Sequence, residues 1–256
     1  MKVSILQTNI MTGDALGNLS HLDVLTRDTK PGSLLVLPEL FATGFVFDPD
    51  DISTHSSEVL SWMRATAQRL RCALVGSLAV KDGAKYFNRM VLVDSYGEEK
   101  AWYDKRHLFG YGGETLHFTR GHRRVVVSYG GMRFLLQVCY DLRFPVFSRC
   151  HHDYDAIINV ANWPSGRQEA WDTLLRARAI ENQCFVIGVN RVGAEGRITY
   201  SGGSAVIDYL GHTLCSCEPG SEQLVTAELR PHAQQTYRRE FPVLDDADSF
   251  SLRLDE

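Results

Sequence analysis

The sequence predicts a protein of the α/β class, folded as a single domain over residues 1–256. Short runs rich in Val, Ile, Leu and Phe recur along the chain, and amphipathic stretches with a helical period lie between several of them. Strands that alternate with helices are typical of α/β folds. No linker rich in Pro, Ser or Gly interrupts the alternation, so nothing in the pattern divides the chain into two domains.

Ten runs have the length and composition of strands. They cover residues 3–7, 34–37, 73–80, 90–94, 124–128, 134–138, 156–160, 185–190, 204–208 and 224–229. The clearest helices are predicted over residues 58–71 and 168–182. The second of them places Trp171, Leu174, Leu175 and Ala179 on one apolar face.

A short motif occurs twice in the chain. VLVDSYG at 91–97 and AVIDYLG at 205–211 share a strand pattern, an Asp and a final Gly, which is typical of a strand that enters a hairpin. The repeat indicates two related halves. The alternative is that such a motif recurs by chance in any protein rich in strands.

Composition and charge exclude several classes of function. With 27 Lys and Arg against 31 Asp and Glu, the net charge is −4, so the chain lacks the positive field that nucleic acid or an anionic membrane would need. Apolar runs are too short for a signal peptide or a spanning helix, so we expect a protein that is neither secreted nor membrane-bound. The six cysteines lack the spacing of a disulfide scaffold or zinc site, which predicts reduced thiols in the cytoplasm and no metal.

Cys139 is the first candidate for a catalytic residue. It follows the apolar strand predicted over 134–138 and begins the polar, turn-forming sequence CYDLRFP. A cysteine at the end of a strand can present its sulfur to a substrate while the next backbone N–H groups bind an oxyanion. The alternative is a cysteine packed in the core, where free cysteines are common.

Two other segments could assist such a thiol. In LLVLPELF, Glu39 follows an apolar strand, and a partly dry setting would raise its pKa and suit it to general acid and base work. In AWYDKRHLF, Lys105 follows aromatic residues, and an ammonium group near a cysteine favours the thiolate or binds a developing oxyanion. A surface carboxylate and a solvated Lys-Arg pair are the alternatives.

Taken in this order, the three segments resemble the motifs of the nitrilase superfamily of carbon–nitrogen hydrolases. LPELFATGF contains Glu39, YDKRHLF contains Lys105 and CYDLRFP contains Cys139. The later segments NWP at 162–164 and ARAIENQCFVIGVNRVG at 177–193 extend the similarity, which runs from residue 1 to about 240.

The resemblance implies a four-layer α-β-β-α sandwich of the nitrilase type, with no metal or organic cofactor. It implies a catalytic triad in which Glu39 is the general base, Lys105 the oxyanion stabiliser and Cys139 the nucleophile that forms a thioester. It marks Glu114 as a second carboxylate that orients the substrate amide and Lys105, and it implies a homodimer or a larger homo-oligomer. We expect the backbone N–H of Tyr140 to complete the oxyanion site.

Within the superfamily, the sequence is most similar to the ω-amidase branch. This likeness implies release of ammonia from the terminal amide of short 2-oxo dicarboxylic monoamides, such as 2-oxoglutaramate and 2-oxosuccinamate. One departure is Ala170, where this branch would have a histidine; if that side chain shapes the pocket, substrate preference changes. Other short-chain aliphatic amidases, N-carbamoyl amino-acid hydrolases and a non-catalytic metabolite-binding protein are the alternatives.

A dicarboxylic substrate needs an anchor for its far carboxylate. Arg167 and Arg143 are candidates, although Arg143 is expected instead to pair with Asp141 or another acid and fix the turn after the nucleophile. Trp163 is expected to form a pocket wall or to belong to the core. The aromatic and basic segment 237–242 is expected at a subunit boundary.

Overall fold

The computed structural model describes residues 1–46 and 53–254, which form two six-stranded sheets, a two-stranded hairpin and the helices around them. In chain order the strands are β1 (Lys2–Gln7), β2 (Leu34–Val36), β3 (Ala73–Asp82), β4 (Lys85–Val93), β5 (Glu99–Asp104), β6 (Val126–Tyr129), β7 (Met132–Val138), β8 (Ala156–Ala161), β9 (Phe185–Asn190), β10 (Val192–Glu195), β11 (Ile198–Ser201), β12 (Ala205–Ile207), β13 (Thr213–Ser216) and β14 (Gln223–Glu228). The α-helices are α1 (Ala15–Leu25), α2 (Ser56–Leu70), α3 (Pro145–Ser148), α4 (Gln168–Glu181) and α5 (Pro231–Glu240).

The two six-stranded sheets have the same construction. The first has the order β14-β1-β2-β3-β4-β5, and the second has the order β6-β7-β8-β9-β12-β13. In each sheet two parallel pairings join three central strands, two antiparallel strands continue the sheet, and one antiparallel strand closes the opposite edge. This equivalence confirms the two related halves that the repeated motif indicated.

The repeated motif itself forms equivalent hairpins, β4–β5 and β12–β13. In both, the Asp side chain accepts hydrogen bonds from the backbone N–H groups two and four residues further on, so Asp94 and Asp208 close the turns in the same way. The final glycines, Gly97 and Gly211, have φ values of 81° and 86°, a region that favours glycine. The local sequence therefore determines both turns.

Helices cover the outer faces of both sheets, which gives the predicted α-β-β-α sandwich. The facing sides of the sheets share one apolar core, in which Val3, Ile5 and Val36 of the first sheet join Leu136 and Ile158 of the second. The outer side of the first sheet packs on α1 and α2 through a second core, which includes Leu6, Leu19, Leu22, Leu35, Met63, Ala67 and Leu74. Period-two alternation along the strands separates the two cores.

Helix α4 covers the second sheet, as its apolar face predicted. Trp171, Leu175 and Ala179 are all buried. A Cβ atom at Gly188 of β9 would lie 2.5 Å from Leu175, so glycine at this position permits the close approach of the helix to the sheet. No helix among the described residues is long and apolar enough to cross a bilayer.

The segment 237–242 lies partly in α5 and packs on its own chain. The ring of Tyr237 lies 5.3 Å from that of Tyr209, and Arg238 donates hydrogen bonds to the carbonyl oxygens of Tyr154 and Gln183. That this segment lies at a subunit boundary stays a prediction. Within the segment, the exposed side chain of Phe241 could contact a second subunit.

Candidate active site

The candidate site lies at one edge of the sandwich, where strands from both sheets end. Glu39 follows β2 and Lys105 follows β5 in the first sheet, while Cys139 follows β7 and Asn162 follows β8 in the second. Because β2 and β5 run in the same direction, as do β7 and β8, the carboxyl ends of each pair lie at the same edge of their sheet. Residues far apart in sequence thus meet in one place.

Glu39, Lys105 and Glu114 form a buried ionic cluster. The Nζ atom of Lys105 lies 2.8 Å from Oε1 of Glu39 and 2.8 Å from Oε2 of Glu114. All three side chains are excluded from solvent. Nζ donates to one oxygen of Glu39 and lies within hydrogen-bond distance of both oxygens of Glu114. The cluster fixes Lys105 at the cavity wall, and an oxyanion could replace one of the two Glu114 contacts.

Two asparagines that the sequence did not assign to the site hold Glu39 in place. The side-chain amide of Asn88 on β4 donates to Oε1 of Glu39 at 2.8 Å. From the other sheet, the backbone N–H of Asn162 donates to Oε2 at 2.8 Å, and its side chain donates to the Glu39 carbonyl oxygen. Asn162 belongs to the NWP motif, whereas Asn88 has no local signal. The base is therefore oriented from both sheets.

Cys139 occupies a strained turn at the end of β7. Its φ of 47° is left-handed, which is uncommon for a residue with a side chain and is typical of a nucleophile at a strand-to-helix turn. Asp141 stabilises the turn, because its Oδ2 accepts a hydrogen bond from the backbone N–H of Val138 at 2.8 Å. Cys139 is 8% exposed and lines the cavity described below.

Asp141 also joins this turn to the loop that contains Lys105. Its carboxylate accepts hydrogen bonds from the Tyr103 hydroxyl at 2.8 Å and from the backbone N–H of His107 at 3.0 Å, and lies 2.7 Å from His107 Nδ1. The Tyr103 hydroxyl in turn accepts from the backbone N–H of Arg106. One buried carboxylate thus fixes the nucleophile and the lysine loop relative to each other.

The electrostatics suit an exchange of protons between Glu39 and Cys139. Burial raises the pKa of Glu39, and this outweighs the opposing effect of Lys105. Burial, followed by the charge of Glu39, raises the pKa of the Cys139 thiol well above its usual value, with Lys105 acting in the opposite direction. Burial lowers the pKa of Lys105, but the two carboxylates raise it more, so it stays an ammonium group. Burial therefore favours a neutral Cys139 thiol, and it makes the Glu39 carboxylate a stronger base than an exposed glutamate.

A cavity of about 350 Å³ opens onto these groups. This volume is near the lower end of the range for small-molecule sites, which favours a small metabolite. The lining residues are Phe45, Lys105, Phe109, Gly112, Glu114, Cys139, Tyr140, Arg143, Asn162, Trp163, Pro164, Arg167, Glu195, Gly196, Ile198 and Tyr200.

Both candidate arginines line this cavity, and the expected Arg143–Asp141 pair is wrong. Asp141 is occupied by backbone and aromatic donors, whereas the Arg143 guanidinium lies 4.9 Å from the ring centroid of Trp163. Arg167 lies over Phe109 at 5.2 Å. Neither arginine forms an ion pair within the described part of the chain. Stacking on rings leaves both guanidinium groups available to an anion.

The remaining predicted positions divide between cavity and core. Trp163 belongs to both, because it is buried against Trp171 and also lines the cavity. Tyr140 also lines the cavity. Ala170 packs against the core and does not line the cavity. The alanine that stands here in place of the expected histidine is therefore not part of the cavity wall. Among residues 1–46 and 53–254, no group of three His, Cys, Asp or Glu side chains is arranged to hold a metal ion.

Comparisons with known proteins agree with this geometry. The family model "Carbon-nitrogen hydrolase" matches residues 2–239. The Omega-amidase YafV of Yersinia enterocolitica is 42% identical over 98% of each chain, and the 2-oxoglutaramate amidase of Bacillus subtilis is 33% identical over 95% of this chain and 96% of its own. A crystal structure of XC1258 from Xanthomonas campestris, a CN-hydrolase superfamily protein with an arsenic adduct in its active site, superposes with a TM-score of 0.91 at 40% identity, covering 98% of each chain.

The fold, the buried Glu-Lys-Cys cluster and the family match define the class of protein. The chain belongs to the carbon–nitrogen hydrolase family, as the three motifs predicted. The structure brings Lys105 and Glu114 to the cavity wall with Cys139 and places Glu39 against Lys105, while their catalytic roles stay predictions. The sequence missed Asn88, which contacts Glu39 from a neighbouring strand of the same sheet, and the pair of Tyr103 and Asp141, which joins the two sheets.

Proposed function

We propose that this protein is an ω-amidase that releases ammonia from the terminal amide of short 2-oxo dicarboxylic monoamides. The observation that carries the proposal is that Lys105, which lines the same cavity as the Cys139 thiol, lies 2.8 Å from the buried Glu39 carboxylate. The names of the ω-amidase and 2-oxoglutaramate amidase relatives support the substrate class. The geometry of the site supports the residue roles proposed below.

In the first half of the reaction, Glu39 accepts the thiol proton as the Cys139 sulfur bonds to the amide carbon. The negative charge that develops on the carbonyl oxygen is stabilised by the Lys105 ammonium group and the backbone N–H of Tyr140. Glu39 then gives the proton to the nitrogen, the carbon–nitrogen bond breaks, and ammonia leaves behind a thioester. Glu114 supports this half of the cycle by holding Lys105.

In the second half, water attacks the thioester carbon and Glu39 accepts a proton from it. The same oxyanion site stabilises the new tetrahedral intermediate. When the carbon–sulfur bond breaks, the thiolate recovers the proton and the product leaves as a carboxylic acid. A carboxylate with a raised pKa suits both transfers, because it is a stronger base than an exposed glutamate and can still return the proton.

The charges of the cavity favour an anionic substrate over a neutral aliphatic amide. Arg143 and Arg167 line the wall without an ion pair in the described residues, and guanidinium groups bind carboxylates in a planar, often two-point contact. We propose that they anchor the carboxylate at the far end of the substrate. Trp163 and Phe109 fix the two guanidinium planes.

Ammonia release tests this assignment. The substrates are 2-oxoglutaramate, 2-oxosuccinamate, glutamine, butyramide and an N-carbamoyl amino acid, and Arg167→Ala is compared with Arg27→Ala, an exposed control. We expect the 2-oxo monoamides to react fastest. Arg167→Ala should raise KM for these anionic amides about tenfold or more, because one charge-assisted contact is lost. KM for the neutral butyramide should not change.

Faster turnover of the N-carbamoyl amino acid would contradict the proposal and assign the cavity to a different amide class. Absence of ammonia from every amide would favour the non-catalytic, metabolite-binding alternative. A lysine and a thiol in one cavity, with a buried carboxylate against the lysine, argue against that alternative, since binding alone needs none of them.

We also propose a homodimer or a larger homo-oligomer in a reducing compartment such as the cytoplasm. All six cysteines are free, which suits such a compartment. On α4, Ile180 is about half exposed and lies against Gly211, next to the exposed Leu210, so this face presents apolar surface. Analytical ultracentrifugation should give a mass at least twice that of the chain, and a monomer would contradict this part of the proposal.

A further inference from the structure

A hairpin from the second half of the chain forms one wall of the cavity. Strands β10 and β11 pair as a separate two-stranded sheet, and Glu195, Ile198 and Tyr200 from this hairpin line the space that contains Cys139. Neither the thioester chemistry nor the arginine anchor uses these side chains. The wall therefore has groups whose contribution is still unassigned.

Arg191 fixes this hairpin from inside the protein. Its guanidinium is fully buried and donates hydrogen bonds to the carbonyl oxygens of Ile10 and Val192. It also lies 3.3 Å from Oε2 of Glu195 and 4.5 Å from the ring centroid of Tyr200. Because Arg191 is engaged on every side, it positions the hairpin rather than a ligand. The Tyr200 ring is consequently held in one place.

The Tyr200 hydroxyl, in contrast, has no hydrogen-bond partner among residues 1–46 and 53–254. Tyr200 is 6% exposed, yet its hydroxyl forms no hydrogen bond with the described parts of the chain, and it is not sealed away from the cavity. Buried tyrosine hydroxyls usually have a partner. Burial, followed by the charge of Glu195, raises the pKa of Tyr200, so the hydroxyl keeps its proton and can donate.

Two other neutral donors on the cavity wall are already engaged. The side-chain amide of Asn162 donates to the carbonyl oxygen of Glu39, and the indole N–H of Trp163 donates to the carbonyl oxygen of Arg167. Tyr200 lines the same cavity as Cys139, so its hydroxyl shares the space into which the reacting thiol opens.

We propose that the Tyr200 hydroxyl donates a hydrogen bond to the 2-oxo oxygen of the substrate and selects 2-oxo monoamides over those without the oxo group. This inference rests on the proposed function. In such a substrate the 2-oxo oxygen lies between the amide carbon at Cys139 and the carboxylate at the arginines. Tyr200 lines the same cavity as Cys139 and both arginines, and a neutral donor complements an uncharged carbonyl oxygen.

The test compares 2-oxoglutaramate with glutaramate, which has the same length, amide and carboxylate but no oxo group. Tyr200→Phe keeps the ring under Arg191 and removes only the hydroxyl. We expect kcat/KM for 2-oxoglutaramate to fall about 5- to 30-fold, which is the effect of one lost hydrogen bond. Because glutaramate has no oxo group, its kcat/KM should change less than about twofold. Tyr111→Phe, at a 92% exposed tyrosine, should change neither value.

Each outcome has a distinct meaning. Equal losses on both substrates, or no loss on either, would overturn the assignment of Tyr200 while leaving the amidase activity established. If wild-type protein does not hydrolyse 2-oxoglutaramate, the proposed function fails first and the assignment of Tyr200 fails with it. A thermal midpoint for Tyr200→Phe within a few degrees of wild type confirms that the variant is folded.

Discussion

At the scale of single residues, the central feature is a carboxylate that burial makes basic. Glu39 accepts hydrogen bonds from Lys105, Asn88 and Asn162, and burial still raises its pKa. The three donors orient the carboxylate, and burial makes it a stronger base. This balance suits the proposed role of Glu39, which is to accept the thiol proton and later deliver a proton to the departing nitrogen.

The pH dependence of kcat/KM tests that balance. Only the ionised form of Glu39 can accept the thiol proton, so activity should fall as pH decreases through its pKa. Because burial raises this pKa, the midpoint of the acidic limb should lie above the ordinary value of 4.5. Glu218→Gln, at an exposed position, should leave the limb unchanged. A limb centred below 4.5 would contradict Glu39 as the base.

The sequence identified Glu39, Lys105 and Cys139, because each lies in a short motif at the end of a strand. It did not identify Asn88 or Tyr200, since an asparagine in a strand and a tyrosine in a hairpin have many ordinary structural explanations. It assigned Arg143 to Asp141 by proximity in sequence, whereas the fold gives Asp141 donors from the lysine loop. Contacts between the two sheets decide these cases.

At the scale of secondary-structure elements, Asp141 links the turn after β7 to the loop after β5. The Tyr103 hydroxyl donates to Asp141 and accepts from the backbone N–H of Arg106, next to Lys105. This link sets the distance between nucleophile and lysine through one buried carboxylate. Loss of one partner should therefore affect both stability and catalysis.

Replacing Tyr103 by Phe should lower the free energy of unfolding by about 1–3 kcal/mol, because a buried carboxylate and a backbone N–H lose a partner. It should also lower kcat more than it raises KM, because the reacting groups shift while the arginine anchor stays in place. Urea denaturation and steady-state kinetics measure the two effects. Tyr96→Phe, at an exposed position, is the control. Wild-type kcat in Tyr103→Phe would show that this link does not position the site.

Elements with strong apolar patterns were predicted well, and elements that depend on tertiary contacts were not. β9 matches its predicted bounds, and α4 begins at the predicted residue and ends one residue earlier. The strands β10, β11 and β13 were missed, since their faces are partly exposed and their runs are short. Helix α5 is polar, and contacts such as those of Arg238 with loop carbonyls hold it against the second sheet.

At the scale of the whole molecule, two equivalent halves share one core. The facing sides of both sheets contribute to it, and the site lies where the halves meet. Neither half alone would contain Glu39, Lys105 and Cys139 together. We therefore propose that the chain is one folding unit.

Thermal unfolding tests this proposal. Because the halves bury their apolar faces against each other, they should unfold in one cooperative transition. Trp62 and Trp102 lie in the first half and Trp163 and Trp171 in the second, so fluorescence reports on both. Midpoints from fluorescence and far-ultraviolet circular dichroism should coincide at a fixed protein concentration. Two resolved transitions would contradict a single domain.

The fold brings a carboxylate, a lysine and a thiol together, and we propose that Cys139 forms a thioester with the substrate there. Product analysis in the presence of hydroxylamine tests it most directly, since hydroxylamine intercepts a thioester to give a hydroxamate. We predict that wild-type protein forms hydroxamate and acid from 2-oxoglutaramate, as does Cys215→Ala, whereas Cys139→Ala forms neither. Acid without hydroxamate from wild type, or wild-type turnover by Cys139→Ala, would contradict the account.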